Sequence, residues 1–98
     1  MNNQIVCVAT FVAKPGKADE LSKAIQCLLE PTRREAGCLR YELNQSLENP
    51  HLFTMVEKFK SQADFDLHGA QPYLEHFRNT ALKNLVESAS VVLYQEIA

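Results

Sequence analysis

The order of apolar patterns along the chain predicts an α+β domain: a four-stranded antiparallel sheet with helices on one face. Three observations carry this prediction. Four short stretches have the β-branched or alternating composition of strands, one near each end and a pair in the middle. Between them, other stretches repeat apolar residues every three or four positions, as the buried face of a helix does. The 98 residues suffice for one domain with one core, and no repeat, low-complexity tract or linker divides them.

Residues 5 to 13 (IVCVATFVA) form the first expected strand. When extended, Ile5, Cys7, Ala9, Phe11 and Ala13 face one side, and Val6, Val8, Thr10 and Val12 the other. Both sides are apolar or nearly so; helices can cover one, and the other needs cover of its own. Lys14-Pro15-Gly16 makes a turn, with proline fixing φ and glycine free to adopt a positive φ. A helix follows on Ala18, Leu21, Ala24, Ile25, Leu28 and Leu29, with Asp19 and Glu20 at its positive end. Pro31 has no N–H to offer the carbonyl of Cys27, so the helix is expected to kink or stop near Glu30. Thr32 to Ala36 then resume it for a turn at most, with Gly37 as terminator.

Cys38 to Gln45 alternates, with Leu39, Tyr41 and Leu43 on one side, and reads as a half-buried strand. Glu48-Asn49-Pro50 turns the chain into Leu52–Phe59, a third strand in which Phe53, Met55, Glu57 and Phe59 share a face. His51, in that turn, is expected in solvent. Ser61 with Asp64 three residues on is a variant capping box opening a helix through His68, broken at Gly69. Pro72 suits the first position of another helix, whose stripe is Tyr73, Leu74, Phe77, Ala81, Leu82 and Leu85. Ser90 to Ile97 supplies the last strand. The order β-α-β-β-α-β is the split βαβ arrangement of the ferredoxin-like fold. Its open sheet face would expose more apolar surface than a monomer usually does, so a homodimer through the sheet faces is expected.

Composition narrows the function. Twelve acidic and ten basic residues give a net charge of −2, with no basic stripe for nucleic acid and no polybasic tract for a membrane. The N-terminal apolar run has strand length, too short for a signal peptide or a membrane span. Three cysteines without a C-x-x-C pair indicate neither a disulfide framework nor a zinc site, and a reducing cytoplasm is the expected location. The histidines lack metal-ligand spacing, and isolated glycines make no phosphate loop. Cys7 and Cys27 read as packing residues.

The segments KPGKADEL, EPTRREAGCLRYEL, ENPHLF, VEKFKSQADFDLH and PYLEHF, in this order, resemble the antibiotic biosynthesis monooxygenase family. The resemblance runs from about Val6 to Tyr94. It implies a dimeric α+β barrel and, for one branch, oxidation of quinols or anthrones by molecular oxygen with no cofactor. Other branches degrade haem or isomerise a signal molecule. Phe59 stands where many relatives have tryptophan, and the first strand offers Ala9 and Thr10 where the haem-degrading branch needs an asparagine. Haem binding or degradation therefore ranks third.

Glu57 falls on the inward face of its strand, where a carboxylate must be paired or protonated. It can orient a histidine or accept a proton, or it can be a strand-edge carboxylate bonded to water or a helix N-terminus. His68 matches a histidine that many family members carry, which implies removal of a proton from a phenolic substrate. The alternative is a helix-terminal histidine capping carbonyls. The expected substrate pocket lies between helices and sheet, lined by Phe53, Phe59, Phe65, Tyr73 and Phe77, with His76 facing it or solvent. The function expected is a cofactor-independent monooxygenase of a small aromatic quinol. A metabolite-binding or isomerising protein on the same scaffold is the alternative.

Overall fold

The structure is a computed structural model describing residues 3–98. Its elements are β1 (Ile5–Ala13), α1 (Ala18–Arg33), β2 (Cys38–Gln45), β3 (Leu52–Phe59), α2 (Gln62–Gly69) and α3 (Pro72–Phe77). A π-helical segment (Arg78–Leu82) and a last turn, α4 (Lys83–Leu85), lead into β4 (Val86–Tyr94). The strands form one sheet in the order β2-β3-β1-β4, each pair antiparallel. This is the ferredoxin-like fold that the pattern predicts.

The helices cover one face. Cys7, Ala9 and Ala13 of β1, Tyr41 of β2, and Phe53, Met55 and Phe59 of β3 are buried against Leu21, Ile25, Leu28, Phe77 and Ala81. Phe53 and Phe59 are fully enclosed, each contributing about 1.5–3 kcal/mol by the usual burial of a large apolar side chain. On the opposite face Val6, Val8, Val12 and Val56 are only half-buried. Beyond the buried Val86, β4 is bare on both faces: Val91 is 59% exposed, Val92 44%, Leu93 44% and Tyr94 51%. Among the described residues no helix is long and apolar enough to cross a membrane.

Several local expectations are corrected. Helix α1 runs through Pro31 to Arg33: the proline falls in its last turns, and Cys27, whose carbonyl loses its partner, is exposed where water is available. That exposure also removes Cys27 from the packing role. β2 bulges at Leu39, since Cys38 pairs with Phe59 and Arg40 with Lys58. Cys38 therefore turns inward and Leu39, 45% exposed, turns out. β4 begins four residues before its expected start, because the helix ends at Leu85, whose carbonyl accepts from Lys14 N–H at 2.9 Å. An edge strand needs only backbone partners, so the stretch from Ser88 to Ser90 pairs with β1 past an irregularity at Glu87, and Ile97 lies beyond the sheet, 92% exposed. His51 is half-buried, its carbonyl accepting from Ala13 N–H at 2.8 Å.

Gly16 has φ of 75°, as its turn requires. Gly37 does not, and its reason is space. A Cβ there would sit 2.3 Å from Cγ of Asp64. That aspartate belongs to the cap of α2: Ser61 Oγ accepts from Asp64 N–H at 3.2 Å and donates to Asp64 Oδ2 at 2.8 Å. Half of the expected box forms: the serine oxygen takes the Asp64 N–H, but the carboxylate receives the serine hydroxyl in place of the Ser61 backbone N–H.

Candidate active site

One row of side chains crosses the helix-facing side of the sheet. Register pairs Tyr41 with Glu57, Glu57 with Cys7, and Cys7 with Leu93, so all four project to the same face. Glu57 is 5% exposed. Burial, together with the nearby Glu35 carboxylate, raises its pKa to about 7, against a hydrogen bond from the Cys7 thiol that favours the anion. Burial and the Glu57 carboxylate push the Cys7 thiol up to about 12. Burial and Glu57 also push Tyr41 upward.

Helix α2 ends above this row. His68, on its last turn and 4% exposed, lies edge-on to Tyr41 with centroids 5.4 Å apart, and tilted over Phe59 at 4.9 Å. Its Nδ1 is 2.9 Å from Oε2 of Glu35, in the connection between α1 and β2. The same Glu35 oxygen accepts from the Tyr73 hydroxyl, whose pKa burial and this bond push upward. Arg33 anchors that connection, donating through Nε and Nη2 to the Tyr41 carbonyl at 3.1 and 2.8 Å. A carboxylate accepts only, so Nδ1 carries the proton and Nε2 is left with its lone pair. Nε2 faces Glu57 Oε1 at 3.8 Å, beyond hydrogen-bond range but close enough for charge to be felt.

The group opens on an apolar cavity of about 180 Å³ between helices and sheet. Of the residues expected to act or to line a pocket, Glu57, His68, Phe65 and Phe77 are on its wall. Phe53 and Phe59 are absent from the wall because they are core, the latter packed on Phe65 with centroids 5.6 Å apart. Tyr73 holds Glu35 rather than lining the space, and His76 is exposed. A larger, shallower groove of about 540 Å³ at the start of α2 and the end of β4 carries no titratable side chain but Tyr94. Among the described residues no three His, Cys, Asp or Glu side chains are arranged to hold a metal ion.

Glu35, Tyr41 and Cys7 are the site residues that the sequence pattern did not single out. Glu35 had a signal: a carboxylate just past a helix C-terminus opposes the helix dipole and calls for another reason to be there. Tyr41 and Cys7 had none beyond their inward alternation.

Fold and site together define a small ferredoxin-like α+β protein with a carboxylate–histidine–carboxylate group at one end of an apolar cavity. Residues 4–80 match the model of the family described as antibiotic biosynthesis monooxygenase, and the chain belongs to that family. A protein from Shewanella oneidensis of known crystal structure superposes with a TM-score of 0.95 at 46% identity, over 98% of this chain and 93% of that one. A Bacillus subtilis protein named "Putative monooxygenase YcnE" is 30% identical over 73 residues, 74% of this chain and 77% of that protein. An uncharacterized protein from Synechocystis is 27% identical over 94 residues, 96% of this chain, and the match spans 64% of that relative's length. Family membership supports a monooxygenase-like role.

Proposed function

We propose that the protein is a cofactor-independent monooxygenase of a small phenolic or quinol substrate. The observation that carries this reading is the histidine fixed at Nδ1 by Glu35, with its other nitrogen directed toward Glu57 beside an apolar cavity. His68 Nε2 takes the proton of a ring hydroxyl, and Glu35 stabilises the imidazolium that forms. Exclusion of water by the apolar wall leaves the electron-rich anion to react with oxygen. For a quinol the reaction balances without another reductant: one oxygen atom enters the ring in place of hydrogen, the other leaves as water, and the ring ends as a quinone. The reading is tested by oxygen uptake with a panel of quinols and phenols. Turnover abolished in His68→Ala is the expected result, and no uptake above background with any substrate overturns it.

We also propose a homodimer, supported by the apolar side chains that β4 leaves uncovered on both faces. A second copy would cover the outer sheet face and bring its own apolar strand against it.

A further inference from the structure

Resting on that functional reading, we infer that the substrate is a phenol with a single six-membered ring, seated with its hydroxyl between His68 Nε2 and Glu57 Oε1. Two features of the cavity lead there. The first is the gap: the two atoms are 3.8 Å apart, too far to bond each other. One oxygen about 2.8 Å from each completes a triangle with them, within ordinary hydrogen-bond lengths. Nε2 accepts, because Nδ1 is committed to Glu35. Glu57, held largely protonated up to neutral pH by its burial, donates. The hydroxyl proton passes to Nε2, and the phenolate oxygen keeps the hydrogen bond from the Glu57 carboxylic acid, so the anion meets no ionised carboxylate at Glu57, and the imidazolium between it and Glu35 balances one of the two charges.

The second feature is size. The cavity measures about 180 Å³, and an apolar cavity of about 150 Å³ is known to take up benzene. One ring with a small substituent fills it. Opposite the polar end stand Phe11, Phe77, Leu82 and Val91, with Phe11 and Phe77 packed edge to face at 6.0 Å. A linear three-ring phenol must either displace that pair, where overpacking costs about 1–3 kcal/mol, or leave a ring in water at the open side beside Val91, 59% exposed.

The test is binding under nitrogen, where no turnover interferes, followed by NMR of the His68 ring in the whole protein. Phenol and 4-methylphenol are expected to shift the His68 signals. The larger 2-anthrol is expected to bind about tenfold more weakly than phenol, the equivalent of 1.4 kcal/mol, and so to displace bound phenol only at about tenfold excess, although its greater apolar area alone would make it the tighter ligand. Displacement of phenol by 2-anthrol at equal or lower concentration overturns the inference, as does a His68 ring that no phenol perturbs. These outcomes are separate from the oxygenase reading, which stands or falls on oxygen uptake.

Discussion

The imidazole of His68 and the carboxylate of Glu35 meet at 2.9 Å although thirty-three positions separate them in the chain, one at the end of α2 and one past the end of α1. Replacing Glu35 by Gln keeps the shape but presents an amide donor as readily as an acceptor, so the imidazole loses its fixed tautomer. Loss of such an orienting partner typically costs about 10–100-fold in activity. Glu35→Gln should therefore lower turnover by that order with the melting temperature little changed, and nitrogen NMR should show His68 moving from one tautomer to a mixture. Tyr73→Phe, which removes a second donor to the same oxygen, should have a smaller effect in the same direction.

Glu57 makes stability depend on pH. Its pKa rises from 4.5 in the unfolded chain to about 7 in the fold, so between these values the folded state keeps a proton that the unfolded state has released. Stability must fall as pH rises through this window. The penalty is absent below 4.5 and complete above about 7, where it amounts to roughly 3 kcal/mol. Urea unfolding at pH 5 and pH 8 should show that loss in the wild type, and Glu57→Gln should remove most of it.

Gly37 and Asp64 should couple. A methyl group at position 37 meets Asp64 Cβ and Cγ at 2.4 and 2.3 Å, and the aspartate cannot swing aside without leaving Ser61. Gly37→Ala should cost about 1–3 kcal/mol as overpacking, and Asp64→Ala about 1 kcal/mol as a lost cap. The double variant should cost less than the two together, because the methyl group then enters the space that the carboxylate left. A double-mutant cycle from chemical denaturation measures the difference.

Val92 tests the pairing of two copies. It stands on the outer face beside Val8, which in turn pairs with Val56. A lysine there is tolerated by an exposed edge strand but not by an apolar interface. Sedimentation velocity at micromolar concentration should give a dimer for the wild type and a monomer for Val92→Lys.

The fold was legible because alternation and helical spacing are strong signals where one face is buried, as in β3, whose inward set Phe53, Met55, Glu57 and Phe59 is buried throughout. Signals failed where backbone bonding alone decides. The polar start of β4 carries no burial pattern, since only Val86 of that strand is enclosed, and the bulge at Leu39 cannot be seen without its partner strand. Within the site, Glu57 and His68 could be picked out from their own positions. Glu35 is brought to His68 by the packing of the α1–β2 connection against α2, a relationship between distant segments that no local period encodes. For the same reason Tyr73 falls on an apolar stripe and looks from its spacing like a pocket residue, when its hydroxyl, bonded to Glu35, is what matters.

The thiol of Cys7 shares the cavity with the chemistry proposed for it. Sulfur is attacked by peroxides as thiolate, and partially reduced oxygen is what a cofactor-free oxygenase risks releasing. Here burial, with the neighbouring Glu57, holds that sulfur protonated to about pH 12. The surroundings that keep a proton on Glu57 thus also passivate the cysteine on the cavity wall, the thiol that a misfired turnover would meet first.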